Sequence, residues 1–195
     1  MTTSADSAAD TAADSAADTA VEHALDTLVR DVADFPQPGV VFKDITPLLA
    51  DPGALRAVVD AMRDLVRDVA AGPVDVVVGV EARGFILAAP VALALGAGFV
   101  PVRKVGKLPG PSHAASYDLE YGRATLELHR DAVSPGQRVV LVDDVLATGG
   151  TLAATIDLVR RTGADVVGVA VLLELGFLAG RDRLTGVPLR ALRSQ

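Results

Sequence analysis

The run from Arg138 to Arg161 constrains the fold more than any other part of the chain. It opens with five apolar or β-prone residues, Arg138–Val142, which predict a buried strand. Two carboxylates, Asp143 and Asp144, follow at the end of that strand. A short turn of small residues comes next, and the apolar spacing of Leu152–Arg161 predicts a helix. The run therefore predicts a strand–loop–helix unit with charge at the strand's carboxyl end.

The same alternation of apolar strands and helices runs through most of the chain. Helices are predicted over Val21–Val32, Ala54–Ala70 and Phe85–Leu95, and further strands over Val74–Val80, Phe99–Val102, Ala124–His129 and Asp165–Leu173. Strands that are apolar throughout are typical of a parallel sheet covered on both faces. The pattern predicts an α/β fold, a single domain with a mainly parallel sheet flanked by helices. Ligands of such sheets lie beyond the carboxyl ends of the strands.

The turn after the acidic pair has the composition of a phosphate-binding loop. It consists of Ala147, Thr148, Gly149, Gly150 and Thr151. Glycines let the backbone curl so that N–H groups converge at a helix N-terminus, where anions bind. The threonine hydroxyls add donors, and the neighbouring carboxylates can accept hydrogen bonds from a sugar diol. A ribose that carries a 5-phosphate satisfies both halves of this predicted site.

Two further segments place positive charge at predicted strand ends. Arg83 follows the strand that ends at Val80, near the start of a helix, where its guanidinium can bind an anion. Arg103, Lys104 and Lys107 form a basic cluster after the strand Phe99–Val102. In a chain of net charge −7, such a cluster favours a polyanionic ligand.

Composition excludes several classes of function. Cysteine is absent, which excludes disulfides, thiolate catalysis and cysteine zinc sites and suits a reducing, cytoplasmic location. The acidic net charge disfavours nucleic acid as a partner. The uncharged run of residues 84–102 is interrupted by Pro90, Gly96 and Gly98, so a buried helix, a turn and a strand are predicted instead of a membrane span. No signal peptide is recognisable at the N-terminus.

The N-terminal 20 residues differ from the rest. Ser/Thr-Ala-Ala-Asp repeats place aspartates at every fourth position without an apolar face, which predicts a disordered acidic tail over residues 1–20. The folded domain is expected over residues 21–195. Near its middle, the stretch between Lys107 and Gly122 begins with Pro-Gly-Pro and predicts a long loop of the kind that serves as a lid.

Three motifs together resemble one known family. They are the run from Asp143 to Thr151, the segment Phe35-Pro-Gln-Pro-Gly-Val-Val-Phe-Lys-Asp-Ile-Thr46, and the lid wording Gly106-Lys-Leu-Pro-Gly-Pro111 followed by Ser116-Tyr-Asp-Leu-Glu-Tyr-Gly122. The first resembles the 5-phosphoribosyl 1-diphosphate (PRPP) loop of the type I phosphoribosyltransferases. All three resemble the adenine phosphoribosyltransferases, over about Asp34 to Glu174.

The resemblance implies a homodimeric, magnesium-dependent enzyme of the type I phosphoribosyltransferase fold with a flexible hood loop, which converts adenine and PRPP to AMP and pyrophosphate. The metal would be bound mainly through PRPP and not directly by protein ligands. The turn at Glu81–Ala82 resembles a pyrophosphate loop that often holds a cis peptide.

The resemblance also assigns roles to individual residues. Glu120 and Arg83 are the implied catalytic residues, and Tyr121 closes the lid. The implied ligand-binding residues are Asp143 and Asp144 for the ribose, Ala147, Thr148, Gly149, Gly150 and Thr151 for the 5-phosphate, Arg83, Arg103, Lys104 and Lys107 for pyrophosphate, and Val41, Phe42, Lys43 and Val145 for adenine. Many relatives have arginine at the position of Lys43, so its side-chain role stays open.

Two alternatives remain at this point. A xanthine or other purine phosphoribosyltransferase shares much of the motif, although the hypoxanthine type usually has aspartate where this chain has Ala147. A non-catalytic regulator that senses PRPP is the alternative from another class. Its usual basic DNA-binding segment has no counterpart in the acidic N-terminal tail.

Overall fold

The computed structural model describes residues 18–119 and 122–195. The predicted tail therefore lies outside the described residues for positions 1–17, while residues 18–20 are the first residues of a helix that runs to residue 28 (α1). The chain divides into two compact units at residues 61 and 62. Each unit is described by itself.

The first unit contains a small β-hairpin that the sequence did not predict. After α1 come β1 (Arg30–Ala33), β2 (Val41–Asp44) and the short helix α2 (Thr46–Ala50). The predicted helix over Val21–Val32 is thus too long. Its last residues form β1 because cross-strand charges favour the hairpin: Arg30 lies 2.8 Å from Asp44, and Asp31 lies 2.7 Å from Lys43.

A seven-stranded sheet forms the frame of the second unit. Its strands are β3 (Val76–Val80), β4 (Gly98–Lys104), β5 (Ser112–Leu119), β6 (Gly122–His129), β7 (Arg138–Leu146), β8 (Asp165–Glu174) and β9 (Leu189–Ser194). Their order in the sheet is β5-β6-β4-β3-β7-β8-β9. The five adjacent strands β4, β3, β7, β8 and β9 run parallel to one another, whereas β6 pairs antiparallel with both β4 and β5. The predicted α/β class with a mainly parallel sheet is confirmed.

Two helices of the second unit, α4 (Arg83–Leu95) and α5 (Gly150–Arg160), cover the sheet as predicted, while α3 (Pro52–Ala70) spans the boundary between the two units. Val76, Val78 and Val80 pack in one apolar cluster with α5, while Gly79, on the opposite face of β3, lies against Ala88 of α4. Because strand residues alternate between faces, α4 and α5 cover opposite faces. No helix in the described part of the chain is long and apolar enough to cross a membrane.

Two parts of the sheet depart from the predicted elements. The stretch predicted as a long lid loop contains β5, which pairs with β6 along its whole length, from Ser112↔His129 to Leu119↔Gly122. The last strand, β9, was not predicted at all. The local sequence is rich in arginine and does not indicate a strand. The strand forms because its backbone N–H and C=O groups pair with those of β8.

Candidate active site

The acidic pair lies where β7 leaves one of its neighbours. Pairing of β7 with β3 ends at Val142, opposite Gly79, while pairing with β8 continues to Leu146. The predicted strand end at Val142 is therefore too early, because β8 still supports the backbone of Asp143 and Asp144. On the other side, β3 turns away through a cis Glu81–Ala82 peptide, as the resemblance implied. The acidic pair thus borders a crevice at the carboxyl end of the sheet, where open α/β sheets bind ligands.

Asp143 is a buried carboxylate whose ionisation is disfavoured. The residue is 8% exposed, and its Oδ1 accepts a hydrogen bond from the backbone N–H of Asp144 at 2.9 Å. Burial, and secondly the charge of Asp144, raise the pKa of Asp143 well above its ordinary value. Gly84, in the first turn of α4, makes this packing possible, since a Cβ at Gly84 would lie 2.6 Å from Oδ1.

Asp144 is buried but not saturated with hydrogen bonds. Its Oδ2 lies 2.6 Å from Nε of Arg83, which makes an ion pair at the N-terminus of α4. That contact is one of charge and not an aligned hydrogen bond, because among the described residues Oδ2 accepts no hydrogen bond. A buried acceptor without a hydrogen-bond donor is costly. This oxygen is therefore suited to accept a hydrogen bond from a hydroxyl of a bound ligand.

The glycine-rich loop joins β7 to α5 as the sequence predicts. Gly149 adopts a left-handed conformation with φ 80° and forms the N-cap of α5, which starts at Gly150. Among the described residues, no side chain caps α5 at this end. Its first N–H groups are therefore available to an anion. Ala147, Thr148 and Thr151 lie in the same turn or in the first turn of the helix.

A segment that sequence reasoning missed packs against this loop. Gly180 follows a short 3-10 turn and begins another, Gly180–Arg183. A Cβ at Gly180 would lie 2.0 Å from the carbonyl oxygen of Ala147, and a Cβ at Gly149 would lie 2.3 Å from the carbonyl oxygen of Gly180. Two glycines are therefore required for this backbone contact. Gly180 is 30 residues beyond the loop, so no local pattern marked its role.

The loop also contacts the antiparallel hairpin. Thr151, at the start of α5, makes a hydrogen bond of 3.0 Å between its Oγ1 and the phenol oxygen of Tyr117 on β5. The sequence assigned Thr151 to the phosphate and gave no role to Tyr117. The alternation of side chains along β5 could have indicated Tyr117 only once its pairing with β6 was known.

The basic cluster is organised by one carboxylate. Glu81 accepts a hydrogen bond from the backbone N–H of Lys104 at 2.9 Å and a weaker one from Nε of Arg103 at 3.3 Å. Arg103 also donates to the carbonyl oxygen of Lys107 at 3.1 Å. These contacts bring Arg103, Lys104 and Lys107 together where β4 ends.

The other predicted site residues are distributed differently. Val145 is half-buried on β7 and pairs with Leu173. Val41, Phe42 and Lys43 lie on β2 in the first unit, where Phe42 stacks edge-to-face on Phe35 with ring centroids 5.1 Å apart. Glu120 and Tyr121 lie outside the described residues. Their predicted roles stay predictions.

Comparison with known proteins agrees with this site. Residues 44–184 match the family model described as the phosphoribosyl transferase domain. The adenine phosphoribosyltransferase of Thermobifida fusca is 63% identical over 164 residues, which span 84% of this chain and 92% of that protein. The chain belongs to the adenine phosphoribosyltransferase family.

Other members of the family extend this likeness. The adenine phosphoribosyltransferase of a Nocardioides species is 66% identical over 166 residues, 85% of this chain and 90% of that protein. The crystal structure of the Rhodothermus marinus enzyme has a TM-score of 0.84 at 50% identity and covers 91% of this chain and 99% of its own. The Saccharomyces cerevisiae enzyme, complexed with adenine and an imino-altritol bisphosphate, has a TM-score of 0.85 at 36% identity, with 90% and 99% covered. The predicted family and fold are confirmed.

Proposed function

We propose that this protein transfers the phosphoribosyl group of PRPP to adenine, producing AMP and pyrophosphate. The proposal rests on one observation: a hydrogen-bond acceptor for a sugar hydroxyl and a binding position for a phosphate lie next to each other near the end of β7. Asp144 offers a buried oxygen that accepts no hydrogen bond from the described residues, and the adjoining loop offers a phosphate the N-terminus of α5, which no described side chain caps. A ribose with a 5-phosphate meets both requirements, and membership of the adenine phosphoribosyltransferase family supports the same substrate.

The proposed reaction exchanges one bond at the anomeric carbon of the ribose. A bond forms from N9 of adenine to this carbon, the bond from this carbon to the pyrophosphate oxygen breaks, and pyrophosphate leaves with the electron pair while the N9 proton is released. Positive charge develops on the ribose during the reaction. The carboxylates of Asp143 and Asp144 stabilise this charge and accept hydrogen bonds from the ribose hydroxyls. Arg83, Arg103, Lys104 and Lys107 are proposed to hold the leaving pyrophosphate, since each carries positive charge at the crevice or at the neighbouring strand end.

Mg²⁺ is the proposed cofactor, bound together with PRPP. In the part of the chain that the structure describes, no group of three or more His, Cys, Asp or Glu side chains could hold a metal ion. Mg²⁺ usually keeps several waters and binds substrate phosphates, so PRPP is proposed to supply most of its ligands while Asp143 and Asp144 accept hydrogen bonds from the ribose hydroxyls. When bound, the ion would neutralise charge on the pyrophosphate.

Adenine is the proposed base. Adenine presents an amino donor at position 6 and an acceptor at ring nitrogen 1, and 6-oxopurines reverse this pair. Backbone groups of Val41, Phe42 and Lys43 are proposed to meet the adenine edge, with Val145 as a wall and with Glu120 and Tyr121 above the reaction centre. Each mismatched buried polar group costs about 1–3 kcal/mol, so two mismatches would exclude an oxopurine by a factor of about 10² or more.

The decisive experiment supplies PRPP, Mg²⁺ and one purine base at a time and measures the nucleotide formed. We expect AMP from adenine and little product from hypoxanthine, guanine or xanthine. Comparable kcat/KM for xanthine would favour the xanthine-specific alternative. Binding of PRPP without turnover of any base would favour the non-catalytic sensor.

A homodimer is proposed from the surface of α4. Ile86 and Leu93, seven residues apart on one side of this helix, are 46% and 82% exposed, and Arg83 is the only charged residue of the helix. We propose this side of α4 as the interface because large apolar side chains exposed on one helix face can mark a protein–protein contact. Sedimentation should give a dimer, and Leu93→Glu should dissociate it without loss of helix content. A wild-type monomer would contradict the proposal.

A cytoplasmic location likewise stays a prediction.

A further inference from the structure

Tyr117 contacts the proposed phosphate loop through a single hydrogen bond. Its phenol oxygen lies 3.0 Å from Oγ1 of Thr151, the second residue of α5. Both groups are hydroxyls, so each can donate one proton and accept another. In the structure, the hydroxyl of Thr151 is the donor. Its own proton is therefore directed to Tyr117 and away from the crevice.

The rest of Tyr117 is held independently of this hydrogen bond. The half-buried ring packs against the main apolar cluster of the second unit, and its backbone pairs with Ala124 of β6. At the other end of α5, Arg161 donates to the carbonyl oxygen of Ala114 on β5 at 2.7 Å. The hairpin is thus docked on α5 by packing and by a second polar contact. The phenol hydroxyl is therefore not needed for docking.

We propose that Tyr117 is a positioning residue that aims the hydroxyl of Thr151 at the 5-phosphate, an inference that rests on the proposed function. A phosphate oxygen can only accept hydrogen bonds, so on binding it takes the proton of Thr151. Tyr117 then becomes the donor to Thr151, and a chain forms from phenol to hydroxyl to phosphate. Hydrogen bonds in such a chain polarise and strengthen one another. The effect belongs to the 5-phosphate alone, because pyrophosphate does not contact Thr151 in the proposed site.

The test compares Tyr117→Phe with the wild type. Phenylalanine keeps the packing of the ring and removes only the hydroxyl. Loss of one hydrogen bond of this type weakens binding by about 3- to 10-fold. We expect the KM for PRPP and the Kd for ribose 5-phosphate to rise by that factor, while the KM for adenine and the Kd for pyrophosphate stay within about twofold. A rise in all four constants, or in none, would overturn the proposal.

Two further variants separate hydroxyl orientation from docking of the hairpin. Arg161→Met removes the other polar contact between α5 and β5 and leaves the hydroxyl pair intact, so the Kd for ribose 5-phosphate should not change. A rise equal to that of Tyr117→Phe would show that docking alone matters and would overturn the proposal. Thr151→Val removes the central hydroxyl. In that background Tyr117→Phe should have no additional effect, and a full additional loss would equally overturn it.

The binding measurements also distinguish failure of this inference from failure of the proposed function. A wild-type protein that binds ribose 5-phosphate but forms no AMP from adenine would contradict the proposed function. The response of ribose 5-phosphate binding to Tyr117→Phe would still test the hydroxyl chain. Conversely, an active wild type with unchanged constants in Tyr117→Phe would contradict the inference alone.

Discussion

Two buried carboxylate sites at the ends of neighbouring strands differ in how they are satisfied. Asp143 and Asp144 lie near the end of β7, and Glu174 is the last residue of β8. Their exposed fractions are nearly equal at 8%, 6% and 7%. Glu174 receives two hydrogen bonds from Arg181, at 2.9 and 2.6 Å, and one from Ser194 at 3.1 Å. Asp144 Oδ2 receives none from the described residues.

The pKa values of Asp143 and Glu174 shift in opposite directions. Hydrogen bonds from Arg181 hold the pKa of Glu174 below its ordinary value, against the effect of burial. Burial and, secondly, the charge of Asp144 raise the pKa of Asp143. The shifts are opposite because the hydrogen bonds from Arg181 outweigh burial at Glu174, whereas burial and the second carboxylate outweigh the charge of Arg83 at Asp143. We call Glu174 with its partners the closed site, because its hydrogen bonds come from within the chain. We call Asp143 and Asp144 with the glycine-rich loop the open site, because it keeps its capacity for a ligand.

Breaking the β7 site should have the largest effect on function. The double variant Asp143→Asn/Asp144→Asn keeps the shape of both side chains and removes both charges. Charge-assisted hydrogen bonds contribute about 1.5–3 kcal/mol each, so kcat/KM for PRPP should fall by about 10²–10⁴-fold. The variant should fold normally by circular dichroism, with Glu174→Gln as the matched control at the closed site. A folded double variant with near-normal kcat/KM would contradict the assignment.

A substitution at Gly180 should displace the glycine-rich loop of the open site, although Gly180 belongs to the segment that carries Arg181 of the closed site. It adjoins Arg181 in sequence and packs on the carbonyl oxygen of Ala147, where a Cβ would lie at 2.0 Å. Gly180→Ala must displace the phosphate loop. Since a displacement of about 1 Å can cost up to about 10²-fold in rate, we expect the KM for PRPP to rise by about 10-fold or more.

The matched control for Gly180 is another glycine with room for a methyl group. At Gly98, in β4, the nearest atom to an added Cβ is 3.6 Å away. Gly98→Ala should therefore leave the KM for PRPP unchanged. Equal kinetics of the two alanine variants would show that the loop does not depend on the Gly180 contact.

The open site was largely predictable because its parts are contiguous in the sequence. The strand, the acidic pair, the glycine loop and the start of α5 follow one another within Arg138–Arg160, so a local pattern could identify them. The same holds for Arg83 after β3. The boundaries were harder to predict, since the extension of β7 past Val142 depends on pairing with β8. Pairing partners are not visible in a local pattern.

Contacts between distant segments were not predictable in this way. The ion pair of Arg83 with Asp144 joins residues 61 positions apart, and the hydrogen bond of Tyr117 with Thr151 joins residues 34 apart. The sequence predicts a loop in place of β5 because Pro109, Gly110 and Pro111 precede the strand and its partner β6 is predicted only from Ala124. The partners of Glu174 likewise depend on the 3-10 turn at Gly180–Arg183 and on β9, neither of which was predicted.

The closed site should matter for stability more than for catalysis. Glu174→Gln removes the charge that Arg181 neutralises but leaves an acceptor of the same shape. Because Arg181 is 49% exposed, solvent screens part of the interaction. We expect the free energy of unfolding at pH 7 to fall by about 1–2 kcal/mol, with kcat/KM within about threefold of the wild type. Denaturant titration measures the first quantity, and an unchanged midpoint would contradict the structural role.

The smallest effect, and the one that most sharpens the contrast, is the dependence of stability on pH. A carboxyl whose pKa is raised by folding destabilises the folded state once the pH exceeds its unfolded pKa of about 3.9. Asp143→Asn should therefore stabilise the protein at neutral pH, by about 0.5–1 kcal/mol. Relative to the wild type, this gain should grow as the pH rises from about 4 and level off above the folded pKa of Asp143.

At the closed site the sign of the pH dependence is reversed. Glu174 has a lowered pKa, so the stability it contributes is present above its unfolded pKa of about 4.3 and is lost as the pH falls through the folded value. The penalty of Glu174→Gln should thus disappear in acid, where the gain of Asp143→Asn also vanishes. Unfolding free energies of the three proteins between about pH 3 and 8 test both trends. Curves of the same sign for the two variants would show that the two carboxylate sites do not differ in charge compensation.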